Sequence, residues 1–169
     1  MNRDELRALQ APLKQRYRDE PAEAVLTLRA EGSLGEGVSC SVETGRALVK
    51  AGLHPATGGT GALACSGDML LQALVACAGV TLSAVATSLG IALRGARLRA
   101  EGDLDFRGTL GVAKDAPVGF REIRLLVAID SDAGPEDRRK LLELTERYCV
   151  VYQTLRSGPA IAVREAPAA

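Results

Sequence analysis

Tryptophan is absent from this chain, aromatic residues make up 3% of it, and His54 is the one histidine among 169 residues. A core with so few rings must be packed from Leu, Val, Ile and Ala. One histidine and no Cys-x-x-Cys pair make a metal site a poor expectation. An excess of charge is missing too, because 21 Lys and Arg balance 21 Asp and Glu. No net field draws in nucleic acid or an anionic membrane, and no basic patch carries interleaved aromatics. The opening residues Met1-Asn2-Arg3-Asp4-Glu5-Leu6-Arg7 are charged and lack an apolar h-region, so no export signal is expected and the chain is assigned to the cytoplasm. The longest apolar run, Met69 to Leu89, is interrupted by Gln72, Thr81, Ser83, Thr87 and Ser88 without flanking Lys or Arg. That predicts a buried helix and no membrane span. The length suits one domain whose core needs no disulfide staples. In a reducing compartment the four cysteines therefore point to catalysis, redox sensing or core packing.

Residues 1–20 carry Leu6, Leu9 and Leu13 at helical spacing, with Pro12 as a kink, and predict an N-terminal helical arm ahead of a domain over 21–169. Alternation from Ala24 to Glu31 predicts a first strand, and Gly32-Ser33-Leu34-Gly35-Glu36-Gly37 a hairpin loop. Val38, Cys40 and Val42 mark a second strand, and Arg46 to Lys50 a third. His54 to Gly67 reads as a loop in which Gly58-Gly59-Thr60-Gly61 serves turn geometry. From Asp68 the period becomes helical, with Leu70, Leu74, Cys77, Ala78, Thr81 and Val85 on one stripe and Gly90 as C-cap. Leu98, Ala100, Gly102, Leu104 and Phe106 alternate with charged residues as the next strand, and Ile123 to Ile129 continue the sheet. Pro135 and Glu136 open a second core helix, which runs toward Cys149. Ala160 to Val163 read as a final strand. Three strands, a long helix, two strands, a helix and one strand imply an α+β fold with antiparallel sheets packed on two central helices.

Cys77 and Cys149 lie on apolar helical faces far apart in sequence. Brought together they make a dithiol: a thiolate that meets an oxidant becomes a sulfenic acid, and a second thiol converts it to a disulfide. Cys40 reads as core, Cys65 as a loop thiol and His54 as a loop histidine.

Asp68-Met69-Leu70-Leu71-Gln72-Ala73-Leu74-Val75-Ala76-Cys77 resembles the first cysteine motif of the OsmC/Ohr family, the osmotically inducible and organic hydroperoxide resistance proteins. Glu101 to Phe106, Gly119 to Ile123, and Cys149-Val150-Val151-Tyr152-Gln153-Thr154-Leu155 match its later landmarks in order. The resemblance covers about Val25 to Val163. It implies a thiol peroxidase with Cys77 as peroxidatic thiolate and Cys149 as resolving partner, organic or lipid hydroperoxides as substrates, a lipoyl-type or other dithiol as reductant, and no cofactor. It also implies an intertwined homodimer with both cysteines at the subunit interface. A non-enzymatic, redox-responsive or small-molecule-binding member of the fold is the alternative. Three positions depart from the family pattern. Val150 stands where many members have proline, Asp68 where a glutamate is common, and the glycine-rich hairpin lacks the arginine of the Ohr branch. Arg29, just before that hairpin, is the candidate in its place, with Asp68 orienting it.

Overall fold

A computed structural model of the chain describes residues 2–5, 8, 10, 11, 19, 32–34, 39–43, 48–111 and 113–166. Strands β1 (Gly32–Leu34), β2 (Ser39–Glu43) and β3 (Leu48–Gly52) precede a 3-10 turn at Pro55–Thr57 and the long helix α1 (Ser66–Leu89). Strand β4 (Gly95–Leu104), a helical turn α2 (Phe106–Thr109), strand β5 (Phe120–Asp130) and helices α3 (Pro135–Tyr148) and α4 (Val150–Arg156) complete the order. The strands form two antiparallel sheets, β1-β2-β3 and β4-β5, and the mixture is α+β as the periodicity predicts.

Helix α1 is 24 residues long, about 36 Å at the usual rise. It is long and apolar enough by itself to cross a bilayer, so its neighbours decide its role. Leu74, Ala78, Leu82, Val85 and Ala86 form its buried face, and they pack on β4, α3 and α4. Each fully buried leucine contributes about 1.5–3 kcal/mol. Val80 on the opposite side is 73% exposed, and Leu70, one turn before Leu74 at the edge of the buried face, is 38% exposed. The helix ends where expected: Gly90 takes the left-handed φ of 73° and its N–H meets the carbonyls of Ala86 and Thr87.

The β4–β5 ribbon explains its own alternation. Leu98 faces Val127, Ala100 faces Leu125 and Gly102 faces Ile123, and this row packs against α1. On the outer row Arg124 binds Asp103 at 2.5 Å and Glu101 at 3.5 Å, exposed pairs of small energetic weight. At Gly102 a side chain is excluded, because an added Cβ would lie 2.5 Å from the Phe120 ring.

Four expectations change. Phe106 does not continue β4. Asp105 accepts the Arg107 N–H at 3.1 Å and grips its guanidinium at 2.5 Å, so a local side-chain cap wins over the strand, and the Arg107 charge holds the Asp105 carboxyl down to about 2. Phe106 instead stacks on His54 with ring centroids 5.0 Å apart. The Gly32–Leu34 stretch is strand, paired with Cys40 to Val42, because the edge of β2 takes up backbone groups that turn-forming residues would otherwise leave to solvent. Ala160 to Val163 form no strand; Ile161 and Val163 are 88% and 97% exposed, and among the described residues no edge pairs with them. Cys149 does not lie on a helical face: the second core helix runs toward it as expected and stops there, leaving Cys149 extended, for a reason given below.

The strand expected over Ala24 to Glu31 lies outside the described residues, as does Pro12. The arm's described positions 3–5, 8, 10, 11 and 19 are helical. Its start is a capping box, with Asn2 Oδ1 accepting the Glu5 N–H and Glu5 Oε2 the Asn2 N–H, both at 2.9 Å.

Candidate functional site

Cys77 projects from the middle of α1, and Cys149 sits between two helices. The Cys149 N–H closes α3 on the Thr145 carbonyl at 2.9 Å, while its own carbonyl accepts the Gln153 N–H at 2.9 Å and opens α4. With φ −74° and ψ 108°, Cys149 is extended. One such residue breaks a helix in two and leaves the first N–H groups of the second without intrahelical partners. Two side-chain bonds bracket the break: Tyr152 donates its hydroxyl proton to Glu146 Oε2 at 3.2 Å, and Gln153 Nε2 donates to the Glu146 carbonyl at 2.7 Å.

The break lies beside the two thiols. Burial pushes the Cys77 thiol up, but the Val151 N–H, the Cys149 thiol and the Val150 N–H outweigh it, and Cys77 lies below the ordinary thiol value. Burial raises the Cys149 thiol, and its Cys77 neighbour raises it further, against the Tyr152 and Val151 N–H groups; the net direction is up. Cys149 is 0% exposed in a cluster with Leu74 and Ala78, onto which the half-buried Cys77, Val151, Tyr152 and Leu155 pack. Both thiols are free. Cys77 is therefore the easier of the two thiols to ionise.

The other expected site residues do not join them. Asp68 is exposed in the first turn of α1, nine residues before Cys77 and so about 13 Å away along the axis. It lines a hollow of about 400 Å³ with Leu71, Gln72 and Ala76. Arg29 lies outside the described residues. Arg147 lies over the Tyr148 ring, 5.6 Å from its centroid. Cys65 is the N-cap of α1 without a side-chain bond. His54 caps the 3-10 turn, its Nδ1 accepting the Ala56 N–H at 3.0 Å. Gly58 has a φ of 91°, and a Cβ on Gly59 would fall 1.7 Å from the Leu53 carbonyl oxygen. The glycine run is therefore turn geometry.

Sequence reading missed the backbone donors of Val150 and Val151, since nothing in the letters marks an N–H that the fold leaves unpaired. Thr81, four residues after Cys77, donates its hydroxyl proton to the Cys77 carbonyl at 2.8 Å. A cavity of about 300 Å³ is lined by Cys149, Thr145, Glu146 and Tyr152 together with apolar residues of β5. A larger one of about 590 Å³ lies at the far end of α1 by Gly90 and Arg94 and contains no cysteine.

The chain is similar in structure to an OsmC-like protein from Mycoplasma pneumoniae, with a TM-score of 0.66 at 18% identity over 79% of this chain and 89% of that one. A second similar structure is an organic hydroperoxide resistance protein OsmC from Legionella pneumophila, with a TM-score of 0.62 at 17% identity over 79% and 91%. A third is an organic hydroperoxide resistance protein from Elizabethkingia anophelis, crystallised with thiocyanate bound, with a TM-score of 0.64 at 17% identity over 79% and 91%. At such identities the likeness is one of fold. No curated protein matches the sequence. The family model described as OsmC-like protein matches residues 59–164, more than half of the chain, and the protein therefore belongs to the OsmC-like family.

Proposed function

We propose that this protein defends against peroxides as a dithiol peroxidase that reduces organic hydroperoxides. The observation that carries the reading is the packing of Cys77 onto the cluster of the buried Cys149, which brings two free thiols from distant parts of the chain together at the break between α3 and α4. The Cys77 thiolate attacks the hydroperoxide, the O–O bond breaks, an alcohol leaves and Cys77 becomes a sulfenic acid. Cys149 then displaces the hydroxyl as water, and a dithiol reductant of lipoyl type returns the disulfide to two thiols. The Legionella and Elizabethkingia proteins, named for organic hydroperoxide resistance, support the substrate class. Arg29 and Asp68 are our candidates for the cation and its orienting carboxylate. We further assign the working form to a cytoplasmic homodimer without cofactor, because the exposed apolar side of α1, with Val80, borders Cys77 and invites a second copy.

The test is consumption of cumene hydroperoxide with dihydrolipoamide, comparing the wild type with Cys77→Ser and Cys149→Ser. Peptide mapping after one equivalent of peroxide should find a Cys77–Cys149 disulfide, and Cys149→Ser should accumulate oxidised Cys77. Both thiols still free after that treatment would end the peroxidase reading. A disulfide that forms without turnover would favour a redox-responsive protein.

A further inference from the structure

We propose that Glu146 takes up the proton that Cys149 gives up when the Cys77–Cys149 disulfide closes, an inference that rests on the dithiol cycle above. Closure joins Cys77–SOH and Cys149–SH into a disulfide and water. The Cys149 sulfur supplies the electron pair of the new S–S bond, and the S–O bond of Cys77 breaks with its pair on oxygen. That oxygen needs a proton as it leaves. The hydroperoxide has already oxidised Cys77, so no further oxidant is required. Glu146 receives the thiol proton, returns one to the leaving oxygen and ends ionised as it began.

The fold makes this step difficult without help and supplies one group able to help. Cys149 is fully buried among Leu74 and Ala78, so bulk water does not reach its thiol. It lines the wall of a cavity of about 300 Å³. Strand β5 contributes Ile123, Leu125 and Val127 to that wall, and none can accept a proton. Thr145 lines it too, but its hydroxyl donates to the Leu141 carbonyl at 2.7 Å. Tyr152 spends its proton on Glu146 Oε2 at 3.2 Å, which fixes the carboxylate at the cavity. From α1 the one titratable group facing the pair is Cys77 itself. Arg121, Glu122 and Arg156 line a neighbouring cavity on the other side of Tyr152. Among the described residues Glu146 is thus the one carboxylate on the wall that Cys149 shares, which makes it the base for the thiol proton.

Glu146 also holds the bracket across the helix break, so the experiment must separate base from brace. Closure of the disulfide is timed by acid quench and mass spectrometry from pH 5 to 9, started with cumene hydroperoxide in one arm and diamide in the other. In the second arm Cys149 displaces a hydrazine from Cys77 by the same attack, without any peroxide. Glu146→Gln keeps an acceptor for Tyr152 and removes the base; Tyr152→Phe removes the bond and keeps the carboxylate. Glu146→Gln should slow closure by about tenfold or more in each arm that closes and flatten its fall toward acidic pH. Glu146→Asp should restore part of the rate, and Tyr152→Phe should lose less than about threefold. If hydroperoxide fails to react while diamide shows this pattern, the peroxidase reading falls and the role of Glu146 stands. A Glu146→Gln rate within about twofold of wild type, a Tyr152→Phe loss as large as that of Glu146→Gln, or failure of diamide to close the wild-type disulfide would each overturn it.

Discussion

Val150→Pro tests whether backbone donors set the reactivity of Cys77. Proline has no N–H, so the substitution deletes one of the α4 amide groups that hold the Cys77 thiol below its ordinary value and leaves that of Val151 in place. The local backbone suits the change. Val150 is the first residue of α4, a position where proline is favoured, and Cys149 before it has the φ of −74° and ψ of 108° that a pre-proline residue prefers. The Val150 side chain is 71% exposed, so little packing is lost. A hydrogen bond to a charged acceptor is worth about 1.5–3 kcal/mol. At the half-buried Cys77 solvent screening leaves about 1 kcal/mol, roughly a fivefold loss of thiolate wherever the thiol form dominates. Cys77 is an acid whose ionised form loses support, so its titration must move up. Below the midpoint the variant should react about fivefold more slowly with iodoacetamide or hydroperoxide, and well above it the two rates should converge. The pH profile of Cys77 alkylation in a Cys149→Ser background measures both limbs. An unmoved midpoint, or an equal loss at every pH, would refute the electrostatic argument.

Arg29→Ala should slow hydroperoxide attack on Cys77 by about tenfold, or about 1.4 kcal/mol of transition-state stabilisation, with Asp68→Asn losing less in the same stopped-flow phase. Wild-type oxidation rates in Arg29→Ala would remove Arg29 from the site. Val80→Glu places a charge on the exposed side of α1 and should halve the mass seen by light scattering at micromolar concentration; a wild-type protein that is itself monomeric would defeat the dimer assignment.

The core elements were legible because period and punctuation agree. Gly90 ends α1 at the residue its position suggests, and the alternation from Leu98 to Leu104 and from Ile123 to Ile129 matches the paired strands. Elements whose existence depends on a neighbour were not. Ala160 to Val163 has strand letters but no edge to pair with, and Gly32–Leu34 has turn letters but pairs with β2. At the site the two cysteines could be named from their motifs. The break at Cys149 could not, because no proline or glycine announces it. It arises from one extended residue held between the Thr145 carbonyl and the Gln153 N–H, and the donors that tune Cys77 arise from that break.

The ribbon of β4 and β5 has a consequence for motion. Among the described residues the two strands pair only with each other, and an isolated two-stranded ribbon is marginal in water. Its persistence depends on the row from Leu98 to Ala100 and from Ile123 to Val127 resting on α1 and Cys149. The amides of both strands and of α1 therefore belong to one cooperative opening unit, exchanging with solvent together. Since Cys77 sits midway along that helix, a sulfur–sulfur bond formed there would alter the protection of strands that carry no cysteine of their own.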